Sequence, residues 1–155
     1  GWKKLPTWRE NIKKYMDWCL QHEPQIHYNQ IRPFNPNAIA VGRLPMTLDC
    51  SASTTCLYKA VHQPDPNRRD YDGTGFTGTL RAGTPQRHSI SAAEVGDFII
   101  YGTGSGVHVV LVYEKAGANP RVFSHGQERG PWLTTHAEQV AAHGSYCTIH
   151  NGDAL

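Results

Sequence analysis

Helices in the first half of the chain and a run of short strands in the second predict an α+β fold. Three observations carry that reading: a capping-box helix start at Thr7, a second helix start at Asp49, and a change after Gly96-Asp97 from helical spacing to strands joined by turns.

The first helix is expected from residue 8 to about residue 22. Thr7-Trp8-Arg9-Glu10 has the Thr-x-x-Glu form in which each side chain satisfies an unpaired backbone donor. Trp8, Ile12, Tyr15, Met16 and Cys19 recur at three- and four-residue steps and form one buried stripe, which reads as core. From residue 23 to 46, four prolines, a glycine and several asparagines interrupt any period, predicting an irregular segment packed through Tyr28, Ile31 and Phe34. The second helix follows Asp49 to about residue 62, with Cys50, Leu57 and Val61 along one narrow stripe and Cys56 pointing elsewhere. Residues 63–84 are turn chemistry throughout, and a loop of that length in a small domain is usually functional. A β-meander comes next: Phe98 to Tyr101, Val107 to Tyr113 and Arg121 to His125. A last helix over residues 137–143 and a last strand over 146–150 complete the prediction.

With 155 residues the chain fits one domain able to bury roughly 70% of its unfolded surface, so disulfides are not required. Its 15 Gly and 10 Pro point to long structured loops. Fifteen Lys and Arg against 13 Asp and Glu leave +2, with the basic residues dispersed apart from short runs such as Lys3-Lys4. Nucleic-acid binding is therefore not indicated. A mild positive charge suits a polyanionic surface such as a bacterial wall, and a solvated face explains the same residues. The four cysteines are not spaced as a dense disulfide framework, and Cys19, on the apolar stripe, is expected reduced and buried. No long apolar run or signal-peptide core is present, so neither membrane insertion nor export by a leader is expected; the chain reads as a domain cut from a longer protein.

Cysteine-based hydrolysis needs a thiolate, a base and a group orienting that base. Cys50 lies at a helix start, where unpaired N–H groups and the helix dipole favour the anion and are expected to lower the thiol pKa, with Asp49 as N-cap. The same position suits a small buried residue or half a disulfide. His108 opens the apolar strand Val107-His-Val-Val-Leu-Val-Tyr113, and alternation puts it on one face with Val110 and Val112. A core histidine is the plain alternative there. An antiparallel hairpin would return residues 125–127 beside His108, so His125 or Gln127 is expected to fix its ring, unless His125 merely caps a loop.

Four segments then carry a family resemblance: Asp49-Cys-Ser-Ala52, Val95-Gly-Asp-Phe98, His108-Val-Val110 and Ser124-His-Gly126, in that order, resemble the NlpC-type cell-wall cysteine peptidases. Tyr71-Asp-Gly-Thr-Gly-Phe-Thr-Gly-Thr-Leu80 and Ser124-His-Gly-Gln-Glu-Arg-Gly-Pro131 are similar to the peptidase domains of actinobacterial, particularly mycobacterial, phage endolysins. The likeness covers roughly residues 28–131. It implies a papain-like fold with the Cys helix packed on a central antiparallel sheet, Cys50 as nucleophile, His108 as base and His125 as orienting residue. Tyr28 would help hold the oxyanion, with Asp49 and Ser51 flanking the cleft. Tyr28-Asn-Gln departs from the family's Gly-rich continuation and lies farther from the cysteine. The implied activity is cleavage of peptidoglycan stem peptides, at the D-γ-glutamyl to meso-diaminopimelate bond, without metal or cofactor. The implied protein is a bacteriolytic monomer tethered to other lysin domains, made in the host cytoplasm and acting on the wall after release.

Three other readings compete. A muramoyl-alanine amidase would use the same cysteine and histidine, since one site can attack either carbonyl. Zinc-dependent hydrolysis would draw on His22 and His27 or on His143, Cys147 and His150, without a specific zinc spacing. A non-enzymatic wall-binding module should show internal repeats, and none is visible.

Overall fold

The fold is taken from a computed structural model that describes residues 5–127 and 129–155. Lys3, Lys4 and Glu128, the last within the Ser124 to Pro131 motif, lie outside the described residues.

Helix α1 spans Trp8–Gln21, and the Thr7 hydroxyl caps it by accepting the Glu10 N–H at 3.2 Å. The expected reciprocal bond from Glu10 to the Thr7 backbone is replaced by a contact between the two side chains, Thr7 Oγ1 donating to Glu10 Oε1 at 3.4 Å. Ile12, Met16 and Cys19 are buried along the anticipated stripe. Helix α3, Cys50–Ala60, begins where the sequence placed it, with Asp49 Oδ1 accepting the Ala52 N–H at 2.8 Å. All its residues but Lys59 are buried, because it runs between one face of the sheet and α1.

The meander is present and larger than expected. Strands β3 (Phe98–Tyr101), β4 (His108–Glu114), β5 (Arg121–Ser124), β6 (Trp132–Thr135) and β7 (Cys147–His150) form an antiparallel sheet in the order β6-β5-β4-β3-β7. Helix α5, His136–His143, connects β6 to β7. β6 escaped the sequence reading because Trp132-Leu-Thr-Thr135 is short and follows Gly-Pro, so it shows as a strand only through its pairing with β5.

Two segments differ from expectation. Residues 23–46 contain strand β1, Ile26–Tyr28, and a short helix α2, Ala38–Val41; β1 pairs in parallel with β2, Met46–Leu48. Within that segment Phe34 is buried as anticipated, whereas Ile31 is 45% exposed. Residues 63–84 include helix α4, Thr77–Gly83, at whose start the Thr79 hydroxyl accepts the Phe76 N–H at 2.8 Å and donates to Asn67 Oδ1 at 2.7 Å. Thr-Gly repetition hides such a helix because its stability comes from contacts elsewhere in the chain rather than from propensity.

The two faces of the sheet have separate cores. Phe98, Ile100, Val109, Leu111 and Phe123 pack with α1 and α3. Ile99, Tyr101, Val110, Val112 and Val122 pack on the other side, against Val140 of α5. The Gly96-Asp97 pair that opens β3 ties both ends of the chain to the sheet. Gly96 has φ +93°, and a Cβ there would lie 2.8 Å from Trp8 and 2.9 Å from Ile12, so the close approach of α1 requires glycine. Asp97 is fully buried, pairs with Arg9 at 3.0 Å and Arg87 at 2.6 Å, and accepts the Gly152 N–H at 2.9 Å.

Among the described residues no helix is long and apolar enough to cross a membrane.

Candidate functional site

Cys50 opens α3 on the floor of a cleft of about 370 Å³ whose walls include Tyr28, Arg32, Ser51, Thr77 and Val107. The sulfur faces the backbone N–H groups of Val109 and Ser51 and the Thr77 hydroxyl, all of which favour its anion. Burial outweighs them and the nearby Asp49 carboxylate adds repulsion, so the thiol pKa is raised. The helix start was expected to lower it. At 8% exposure Cys50 is too desolvated for the helix terminus to win.

Tyr28 reaches this thiol despite its distance in sequence because the parallel pairing of β1 with β2 sets Tyr28 against Leu48, two residues before Cys50. Its hydroxyl stands beside the sulfur, and its pKa is pushed up to about 12 by burial and then by the charges of Cys50 and Asp49. Tyr28, Asp49 and Ser51 thus line one cleft with Cys50.

Arg32 was not anticipated. Its Nη2 lies 3.0 Å from Asp49 Oδ2 and donates to Ser51 Oγ at 2.9 Å, while Nε donates to the Gly75 carbonyl at 2.8 Å. One guanidinium thus fixes the two residues flanking Cys50 and ties the 63–84 segment to the helix start. Nothing in an irregular Ile-Arg-Pro stretch marks that role, which arises only when the loop folds back.

The two histidines lie on opposite sides of the sheet. His108, paired across the sheet with Tyr101, shares the α5 face with Val110 and Val112, as alternation predicts. Its Nε2 is 2.8 Å from Ser124 Oγ and its ring centroid 4.9 Å from that of His143. Burial, then the neighbouring His143 and His125, lowers its pKa to about 4. A second cleft, of about 520 Å³, exposes His108, Ser124, Gln127 and His143, and shares Tyr28 and Val107 with the first.

His125 takes the α3 face, next to the Phe123 side of β5. Its Nδ1 is 2.7 Å from Ser53 Oγ, its ring meets Tyr28 edge-on at 5.5 Å, and the His27 backbone also faces the ring. Burial lowers its pKa to about 4 against the opposing influence of Asp49 and the His27 backbone. The hairpin was expected to bring His125 or Gln127 onto the His108 ring. In the structure Ser124 holds that ring, because successive residues of β5 alternate faces and His125 turns toward the helix. Gln127 lines the second cleft and makes no bond to His108 among the described residues. No hydrogen bond joins Cys50 to either histidine among the described residues.

All four cysteines are free. Among the described residues no three His, Cys, Asp or Glu side chains are grouped to hold a metal ion. His150, named with His143 and Cys147 as a conceivable ligand, is engaged by the Thr84 carbonyl at 2.7 Å and by Thr148 Oγ1 at 2.8 Å.

No protein-family model, curated protein or solved structure matches this chain.

Proposed function

We propose that the chain is a peptidoglycan hydrolase, a cysteine endopeptidase that cuts wall stem peptides with Cys50 as nucleophile and adopts an NlpC-type, papain-like arrangement. The observation that carries the proposal is the setting of Cys50: a thiol at the N-terminus of a buried helix, at the floor of an open cleft, ringed by hydrogen-bond donors.

In the reaction the thiol proton passes to an imidazole nitrogen and the sulfur attacks the amide carbonyl carbon, its π pair moving to oxygen. Donors around the sulfur, the Ser51 and Val109 N–H groups and the Tyr28 hydroxyl, are available to that oxyanion. Collapse reforms the carbonyl and breaks the C–N bond, the amine leaving with the proton from the imidazolium. Water then attacks the thioester and gives a proton to the imidazole, and the sulfur departs as thiolate and recovers that proton. The raised resting pKa of Cys50 makes a dedicated base necessary. In this reading the domain acts as a monomer joined to other lysin domains, made in the host cytoplasm and released to the wall.

Turbidity loss of diaminopimelate-type cell walls tests the proposal. Wild type should clear them and Cys50→Ser should not; clearing by Cys50→Ser at the wild-type rate would end the cysteine mechanism.

A further inference from the structure

We infer that the second cleft, the one walled by His108 and His143, is the subsite for the amine half of the cut bond, where Arg129 binds the side-chain carboxylate of diaminopimelate. This rests on the cysteine-hydrolase reading above and adds to it the residue that selects the substrate.

Continuity of the two clefts is the first ground. Tyr28 and Val107 stand in the walls of both, so the space of about 370 Å³ over Cys50 adjoins the space of about 520 Å³ beside His108. The reaction then decides which half of the substrate lies where. The proton taken from the thiol returns to the departing nitrogen, so that nitrogen must come against an imidazole. Among the described residues the first cleft has no histidine in its wall, whereas His108 and His143 line the second. The acyl half therefore sits over Cys50 and the amine half beside the histidines.

The walls of the second cleft match that amine residue. Diaminopimelate carries, beyond a short methylene stem, a centre bearing both a carboxylate and an ammonium. Val107, Trp132 and Ala142 offer apolar surface to the stem. Arg129 is the one fixed charge among the described lining residues, and no ion pair joins it to a described carboxylate. Its guanidinium lies over the Trp132 ring, 4.5 Å from the centroid, on a turn in which the Gly126 N–H donates to the Arg129 carbonyl at 3.1 Å. A planar cation held at the cleft in this way suits a carboxylate. Gln139 also lines the cleft, and its Oε1 is buried with no hydrogen-bond partner among the described residues, an acceptor for the ammonium. The first cleft offers no comparable charge, because Arg32 is already paired with Asp49 at 3.0 Å.

A lysine residue in the same place keeps the stem and the ammonium but has no carboxylate, and amidated diaminopimelate has lost the charge. The test therefore measures kcat/KM on N-acetylated stem tetrapeptides containing diaminopimelate, its side-chain amide or lysine, together with clearance of diaminopimelate-type walls. Wild type is compared with Arg129→Gln, Arg129→Lys, Cys50→Ser and Arg121→Gln, the last an exposed arginine at the far end of β5. Wild type should favour the free-carboxylate peptide over the other two by roughly 10- to 100-fold, the worth of a charge-assisted hydrogen bond. Arg129→Gln should bring that peptide down to the level of the others, Arg129→Lys should restore part of the preference, and Arg121→Gln should keep all of it. A wild type without preference, or an Arg129→Gln that slows all three peptides equally, would overturn the subsite and leave the cysteine mechanism standing. Loss of wall clearance by Arg129→Gln with its peptide preference intact would assign the cleft to the glycan strand and overturn the inference as well. No cleavage of any peptide by wild type, or cleavage by Cys50→Ser at the wild-type rate, would overturn the hydrolase reading and the subsite with it.

Discussion

Arg32 and Asp49 form an ion pair at the mouth of the Cys50 cleft, Nη2 to Oδ2 at 3.0 Å, and the same carboxylate caps α3 through the Ala52 N–H. Asp49 therefore supports the helix start while its charge opposes ionisation of the neighbouring thiol. Asp49→Ala should destabilise the fold by about 1–2 kcal/mol through loss of the cap. Asp49→Asn, which keeps a capping oxygen and removes the charge, should move Cys50 alkylation to lower pH. An alkylation profile in Asp49→Asn that moves upward would contradict this electrostatic role.

Thiol labelling should separate the four cysteines in the native protein. Burial pushes the pKa values of Cys19 and Cys56 up to about 12, and Cys56 is further engaged with the Asn35 carbonyl at 3.3 Å. Both should resist iodoacetamide until the protein unfolds. Cys50 should label and be protected by peptidoglycan fragments, whereas half-buried Cys147 should label without protection. Cys56→Ala should retain activity. Peptide mapping reads the order, and substrate protection of Cys147 but not Cys50 would remove the proposed site.

Stability should fall in mild acid. His108 and His125 have folded-state pKa values near 4, below the ordinary 6.5, so between these values the unfolded chain binds more protons than the folded one. Their neutral, buried forms contribute stability fully above about pH 6.5, and that contribution is lost as pH drops toward 4. Each is worth on the order of 3 kcal/mol. His136 and His150 are lowered by burial as well, so removing one histidine should flatten the acid limb without abolishing it. Melting temperatures from pH 7 to 4 check this, and a flat profile would contradict the burial of these rings.

Asp97 should be the most stability-critical carboxylate of the Gly-Asp motif. It is fully buried between Arg9 and Arg87, so Asp97→Ala leaves both guanidinium groups without their shared partner. A loss of about 3–5 kcal/mol is expected from chemical denaturation. A loss below about 1 kcal/mol would show that the pairs are dispensable.

What the sequence revealed follows where local signals are strong. Thr7 and Asp49 marked two helix starts because a capping side chain acts on backbone three residues away. Alternation placed His108 with Val110 and Val112 correctly, since the period of a strand is a local property. The same strand gave no indication of which face α3 would cover, and that decides which face of the sheet each histidine shares with the Cys50 helix. Tyr28 joined the site through a parallel pairing of β1 with β2, and Arg32 through a loop closing on Gly75. Ser53 passed as one more small residue in Ser-Ala-Ser-Thr-Thr, and only the fold brings His125 to its hydroxyl. These are relationships between distant segments, on which single-residue patterns are silent.

The most direct measurement for the central claim is mass spectrometry of muropeptides released from diaminopimelate-type peptidoglycan by the purified domain, with Cys50→Ser in parallel. The expected result is stem peptides cut between D-glutamate and diaminopimelate by the wild-type protein and no release by Cys50→Ser. Release of intact stems freed from muramic acid would keep the cysteine chemistry and make the domain an amidase. Equal release by both proteins, or none by either, would contradict the account.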